Sequence, residues 1–178
     1  LSVPNLPAHS GPRTGFFPGS TIGNLSDADI HRFLTNARKA LGPDALFILG
    51  YVRVIPLSTL IPAYDDALCV TAAFNLNLLR RINRERGGTF DLQAFRHEAR
   101  WNSEASRIEM HLVSQKTQSV RIGSALVSFE LDETIHTENS RKFTPDRMES
   151  LCHEAGRQVT RIYSDSDDFF SIATLRPL

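Results

Sequence analysis

The sequence predicts an α/β protein, and three observations carry that prediction. An apolar run at 14–18, a glycine-rich turn and an amphipathic stretch precede a second apolar run at 45–50, which is the order of a strand–helix–strand unit. Shorter runs with partial alternation follow between 96 and 131, typical of an antiparallel meander. A helix and two strands then close the chain. We therefore expect a parallel unit, an inserted helix-plus-meander segment, and a terminal hairpin that returns to the first sheet.

The first helix has clear start and stop signals, whereas residues 1–13 carry three prolines and indicate a loop. Ser26 can cap the helix, with Asp29 three residues later as an acidic variant of the capping box. Gly42-Pro43 ends it, and the run 45–50 that follows indicates a fully buried strand. The apolar positions at helical spacing are Ile30, Phe33, Leu34, Ala37 and Leu41.

A second long helix is expected before Gly87-Gly88, and a third between Thr144 and Gly156 with Pro145 at its first position. The apolar face expected for the second helix consists of Val70, Ala73, Phe74, Asn77, Leu78 and Ile82. Strands are expected at 96–101, 107–114, 118–122 and 125–131, then at 134–140, 159–163 and 169–175, with an aspartate-rich turn before the last one.

The turn Gly19-Ser20-Thr21-Ile22-Gly23-Asn24 is the first candidate site. It follows a strand, and ligands of open parallel sheets bind at the carboxyl ends of the strands. Glycine lets the backbone approach a ligand closely, and Asn24 offers both a donor and an acceptor. A plain connection between two elements explains the turn equally well. Its spacing matches neither a P-loop nor the G-x-G-x-x-G fingerprint, so phosphate binding is not implied.

Composition narrows the class of protein. The formal net charge is zero, which argues against a nucleic-acid binder, since that class shows a basic excess. No apolar run approaches the roughly 20 residues of a membrane span, and no signal peptide is visible. Cys69 and Cys152 have no metal-like spacing, so we expect two reduced thiols in a cytoplasmic protein.

No metal site or nucleophilic catalytic site is predicted. None of the six histidines forms H-x-x-x-H or a cysteine–histidine cluster, and G-x-S-x-G is absent. The acidic pair Asp65-Asp66 indicates a helix N-terminus, and the cluster at 165–168 indicates a polar hairpin tip. Taken alone, Glu138-Asn139-Ser140 indicates a turn, and Met110 indicates a core position on a strand.

Short motifs in a fixed order nevertheless run from about Phe16 to the C-terminus. They are GSTIGN at 19–24, AYDD at 63–66, VTAAFNLN at 70–77, INRE at 82–85, RIEM at 107–110 and TENSRKF at 137–143.

In this order and spacing the motifs resemble the histidine-specific, S-adenosylmethionine-dependent methyltransferases of ergothioneine biosynthesis. The resemblance implies the C-terminal part of a class I (Rossmann-like) methyltransferase sheet with an inserted α+β substrate domain. The implied boundaries are 1–54 for the second half of the sheet, 55–142 for the inserted domain and 143–178 for the return to the sheet. The implied reaction is three successive methyl transfers to the α-amine of L-histidine, which give the trimethyl betaine hercynine.

The resemblance also implies which residues bind histidine. Asn24 and Tyr64 would bind its amino and carboxylate groups. Glu138 and Ser140 would hydrogen-bond the imidazole, and Met110 would pack near the ring. Asn139 lies between these two residues in the motif and would also bind the substrate. No catalytic residue is implied, because methyl transfer is an in-line displacement governed mainly by orientation.

The chain also departs from the family pattern. The S-adenosylmethionine contacts of the family lie upstream of the position matched by Leu1, so we expect no cofactor-binding residue here. We expect instead pairing with a missing N-terminal half or with another chain, because half a parallel sheet exposes an apolar edge. Where the family has two acids, this chain has Val52 and Pro56. Ile55 stands in place of a lysine and Cys69 in place of a glycine. These changes bear on the packing between the sheet and the inserted domain. A non-catalytic or degenerate relative that binds an amino acid or a partner, and an unrelated α/β binding module, are the alternatives.

Overall fold

The computed structural model describes residues 6–7 and 11–178, so His9 and most of the loop expected over 1–13 lie outside the described residues. In chain order the elements are β1 (Thr14–Phe17), α1 (Asp27–Leu41), β2 (Leu46–Val52), α2 (Leu57–Leu60), α3 (Val70–Arg86), β3 (Phe95–Asn102), β4 (Arg107–Ser114), β5 (Gln118–Ile122), β6 (Ala125–Phe129), β7 (Thr134–Arg141), α4 (Pro145–Glu154), β8 (Arg157–Ser164) and β9 (Phe170–Pro177).

These elements form two compact units. The first consists of the described part of Leu1–Ile55 with Ala105–Arg107 and Ser140–Leu178. The second consists of Pro56–Glu104 and Ile108–Asn139. The domain boundaries implied by the family resemblance stay a prediction.

The first unit is built on a four-stranded sheet in the order β1-β2-β9-β8. β1 and β2 are parallel, while β9 is antiparallel to both β2 and β8. The strand–helix–strand unit and the returning terminal hairpin are therefore confirmed. Gly50 permits the close approach of β1 and β2, because a Cβ there would lie 2.0 Å from the carbonyl oxygen of Pro18.

Local capping signals fix the helices of the first unit. The Ser26 hydroxyl accepts from the amide of Asp29 at 3.2 Å, and Gly42 leaves α1 with a φ of 97°. The Thr144 hydroxyl accepts from the amide of Arg147 at 3.2 Å, which starts α4 where the sequence predicted. The two helices and the sheet enclose a core that includes Ile22, Ile30, Leu34, Leu49, Phe143, Met148, Leu151 and Leu175.

The second unit holds a three-stranded sheet in the order β3-β4-β7 and a separate antiparallel hairpin of β5 and β6. The predicted continuous meander is therefore wrong, although all its strands exist. β4 pairs with β7 across residues 115–133, and among the described strands β5 pairs only with β6. Alternation defines the apolar face of a strand but not its neighbour. Val120 and Phe129 of the hairpin pack into a core with Leu79, Phe95 and Leu112.

The buried side of α3 differs from its apolar face. Asn75 and Leu79 are buried, whereas Val70 and Phe74 are about two-thirds exposed. A polar residue takes a core position because its amide has buried partners, and an apolar pattern cannot reveal them. No helix in the described ranges, 6–7 and 11–178, is long and apolar enough to cross a membrane.

Candidate functional site

Asn24 lies in the first unit, at the end of a 3₁₀ turn over Thr21–Asn24 that follows β1. Ser20 begins this turn in the left-handed region, with a φ of 55°. Its hydroxyl accepts from the amide of Val52 at 3.0 Å, and its carbonyl accepts from the amide of Gly23 at 2.8 Å. The turn is thus held both internally and against β2.

The same turn packs against the end of β7. A Cβ on Gly23 would lie 2.9 Å from the carbonyl oxygen of Arg141, so only glycine allows this approach. Ser140 precedes that contact, and its hydroxyl accepts from the Lys142 ammonium at 2.8 Å. The first unit therefore brings the segments that carry Asn24 and Ser140 side by side.

An ion pair fixes the end of β7 to the first turn of α1. The Arg141 guanidinium donates to the carboxylate of Asp27 at 2.6 Å, and Arg147 donates to its other oxygen at 3.1 Å. Partial burial raises the pKa of Asp27, but the hydrogen bonds and charges of the two arginines outweigh it and hold that pKa below its usual value. This contact steadies the backbone next to Ser140.

Met110, Glu138 and Asn139 lie in the second unit, on the neighbouring strands β4 and β7. The Thr137 hydroxyl donates to the carbonyl of Met110 at 2.9 Å, which brings the Glu138-Asn139 segment beside Met110. The amide oxygen of Asn139 is buried and accepts no hydrogen bond from the described residues. A buried acceptor of this kind is rare in folded proteins and suits a ligand N–H group.

Tyr64 follows a 3₁₀ turn in the second unit, and a buried polar network holds its main chain. His97 contacts the Tyr64 carbonyl through Nε2 at 2.8 Å, and Asn75 contacts His97 Nδ1 at 2.9 Å and the His111 carbonyl at 3.2 Å. Because a carbonyl can only accept, His97 carries a proton on Nε2. Sequence reasoning missed Asn75 and His97. A polar residue within an otherwise apolar helix or strand pattern is the sequence feature that could have identified these two residues.

The six residues predicted to bind histidine are therefore divided between the two units. Asn24 and Ser140 belong to the first unit, and Tyr64, Met110, Glu138 and Asn139 belong to the second. That all six contact one ligand stays a prediction.

Comparison with known proteins identifies the family. A family model described as histidine-specific, S-adenosylmethionine-dependent methyltransferase matches residues 2–177. The chain belongs to this family. It is 41% identical over 167 residues to a Histidine N-alpha-methyltransferase of Mycolicibacterium smegmatis, covering 93% of this chain and 52% of the relative. It is 40% identical to a protein of the same name from Mycobacterium tuberculosis, covering 92% and 51%. The chain spans about half the length of these curated relatives.

A solved structure supports the fold. The CcbJ methyltransferase of Streptomyces caelestis aligns with a TM-score of 0.50 at 13% identity, covering 96% of this chain and 64% of that one. At this identity the likeness concerns the fold alone. Together with the mixed sheet of the first unit, it confirms the predicted class I methyltransferase fold.

Proposed function

We propose that the protein to which this chain belongs methylates the α-amine of L-histidine, with S-adenosylmethionine as methyl donor, and that this chain supplies the histidine-binding residues. The product after three transfers is the trimethyl betaine hercynine, a step in ergothioneine biosynthesis. The observation that carries the proposal is the family match over 2–177, which contains all six predicted ligands. The names of the two mycobacterial relatives point to the same reaction.

The proposed chemistry depends on orientation. S-adenosylmethionine supplies a methyl group on a cationic sulfur, which becomes a neutral thioether as the new N–C bond forms. Only an unprotonated amine has the lone pair for this attack, so each of the three transfers releases one proton from nitrogen. Asn24 and Tyr64 hold the amino and carboxylate ends, which fixes the lone pair along the transfer direction.

The imidazole is recognised by groups that an apolar ring cannot satisfy. Glu138 accepts from one imidazole N–H, Ser140 hydrogen-bonds the ring, and Met110 packs near it. The buried amide oxygen of Asn139 supports a polar ligand here, because an unsatisfied buried acceptor costs about 1–3 kcal/mol and a ligand N–H would recover that cost. Ligands without a matching donor leave these groups unpaired and bind more weakly.

We assign none of the described residues to the cofactor. In the turn after β1, the Ser20 hydroxyl and the Gly23 amide are already used within the protein. The proposal for this chain concerns the histidine side of the reaction.

Calorimetric titration of the chain with L-histidine, with and without S-adenosylhomocysteine, tests the proposal. We expect one histidine per chain and at least tenfold weaker binding in Asn24→Ala. The matched control is Asn36→Ala on α1, which should bind histidine like the parent chain. Histamine, which lacks the carboxylate, should bind more weakly than histidine.

The alternative of a degenerate relative makes a different prediction. Such a chain would be folded by circular dichroism and would bind neither ligand, and that result would overturn the proposal. Mass spectrometry of the products of the longer protein then tests the methyl count, since hercynine requires three added methyl groups.

A further inference from the structure

Three metal-ligand side chains face one another in the second unit. They are Glu109 and His111 on β4 and His136 on β7, the next strand of the sheet. Each offers one ligand atom, and these atoms all lie within 4.8 Å of one another. Residues two apart on a strand share a face, so Glu109 and His111 point to the same side and Met110 to the other. The cluster therefore lies on the opposite face of the sheet from Met110, and the same rule places Glu138, two residues after His136 on β7, on the face of the cluster.

The distance between the two best-ordered ligands fits a shared ion. His111 Nε2 and Glu109 Oε2 are 3.3 Å apart. Two ligands at about 2.1 Å from a zinc ion, at a tetrahedral angle, are about 3.4 Å apart. A divalent ion can therefore replace the proton between these atoms with little movement. His136 is exposed, and its Nε2 contacts the Glu138 carbonyl oxygen at 3.2 Å, so Nδ1 is the nitrogen of this ring that keeps a lone pair for an ion.

Outer hydrogen bonds already orient both of these ligands. Thr134 Oγ1 lies 3.2 Å from His111 Nδ1, so when an ion takes the place of the proton at Nε2, Thr134 can accept the ring proton at Nδ1. The Asn102 amide donates to Glu109 Oε1 at 2.9 Å and leaves Oε2 facing the histidine. Metal-binding histidines and carboxylates in proteins are held by partners of this kind.

The two imidazoles of the cluster also lie against each other. The rings of His111 and His136 stack with centroids 4.8 Å apart and an interplanar angle of 17°. The nearby cation of Arg100 is paired with Glu98 at 2.6 Å, which reduces its repulsion of an ion.

We propose that Glu109, His111 and His136 bind one divalent transition-metal ion of the zinc class and so link β4 to β7. Two imidazoles and one carboxylate favour zinc, nickel, copper or cobalt over magnesium and calcium, which prefer oxygen ligands throughout. The linked strands also carry Met110 and Glu138, but the inference does not rest on histidine methylation.

Titration of the metal-free chain with zinc, in competition with a zinc indicator, tests this site. We expect one equivalent of zinc bound, no competition from magnesium, and at least tenfold weaker binding in both His136→Ala and Glu109→Gln. Circular dichroism checks that the variants are folded, and His136→Ala alters only an exposed side chain. Cobalt in place of zinc should give visible absorption typical of nitrogen and oxygen ligands without thiolate.

Two matched controls make the result decisive. His153→Ala removes an exposed histidine from α4, and Cys69→Ser removes the exposed thiol. Both should retain the zinc affinity of the parent chain. Absence of zinc binding, or loss of binding in Cys69→Ser with retention in His136→Ala, overturns the proposal.

Discussion

Glu138 lies on β7 in the second unit and is the proposed acceptor for the imidazole of histidine. In Glu138→Ala the ligand loses a hydrogen bond to a charged group, which contributes about 1.5–3 kcal/mol, or about 10- to 150-fold in affinity. Amino acids with apolar rings no longer meet a carboxylate, so we expect selectivity to shift toward them. Calorimetry with L-histidine and L-phenylalanine measures both changes.

The control for this variant is Glu104→Ala, which removes an exposed carboxylate from the turn between β3 and β4 in the same unit. It should leave both affinities unchanged. If histidine bound Glu138→Ala as tightly as the parent chain, the imidazole assignment would be wrong.

At the scale of single residues, sequence reasoning succeeded where partners are close in the chain. Ser26 and Thr144 each cap a helix by accepting from an amide three residues later, so the spacing of residues in the sequence is enough to predict the contact. The contact of His97 with the Tyr64 carbonyl spans 33 residues, and nothing local indicates it. The cluster of Glu109 with His136 likewise forms only when β4 pairs with β7.

At the scale of elements, Asp66 lies three residues before Cys69, the N-cap residue of α3, and its side chain caps the first amides of the helix, where the sequence indicated a helix start. Its carboxylate accepts from the amides of Val70 at 2.9 Å and Thr71 at 2.8 Å. The Thr71 amide, followed by that of Val70, lowers the pKa of Asp66 from 3.8 to about 2. The folded state therefore favours the ionised form, and this stabilisation is present above 3.8 and lost as the pH falls through about 2.

Asp66→Asn should therefore unfold at a lower urea concentration than the parent chain at neutral pH. The difference between the two midpoints should shrink as the pH falls below the usual aspartate range, because the parent then loses its ionised cap. Asp65→Asn is the matched control and should show no such difference. A midpoint difference for Asp66→Asn that is independent of pH would contradict the assignment of the cap.

The 3₁₀ turn that carries Asn24 offers a test of a backbone contact. In Gly23→Ala, the added methyl group would lie 2.9 Å from the Arg141 carbonyl oxygen and 3.2 Å from its amide nitrogen. Relief requires the turn and β7 to separate, so we expect a loss of stability of about 1–3 kcal/mol and weaker histidine binding. Urea denaturation and calorimetry measure the two effects.

Gly19→Ala serves as the comparison, because its methyl group would meet only the Thr21 hydroxyl at an ordinary 3.8 Å. Equal losses in both glycine variants would show that backbone freedom, and not the contact with Arg141, requires glycine in this turn.

At the scale of the whole molecule, the sheet of the first unit was predictable and that of the second was not. β1, α1 and β2 follow one another, and β8 and β9 are joined by a short turn, so local order determines their pairing. In the second unit β4 pairs with β7 past an intervening hairpin, a partner that is distant in the chain, and the hairpin packs through Phe129 into a core that includes Phe95. The six ligand positions came from family motifs, since their spacing in the chain has no period.

The sheet of the first unit also bears on how the chain behaves in solution. Among the described strands, β1 pairs only with β2 and so forms one edge of the sheet. Phe16 on this strand is 69% exposed, and the chain has a formal net charge of zero at pH 7, which removes electrostatic repulsion between copies. An exposed apolar edge strand under these conditions favours pairing with another chain.

We therefore expect association of the isolated chain at neutral pH to rise with concentration, and Phe16→Lys to reduce it, because a charged side chain on an edge strand opposes pairing. The matched variant is Phe74→Lys on α3, where the side chain is 66% exposed but no strand edge is present. Sedimentation velocity of the three chains measures the association. If Phe74→Lys reduced association more than Phe16→Lys did, the contact between copies would lie on the exposed face of α3 and not on the edge strand β1.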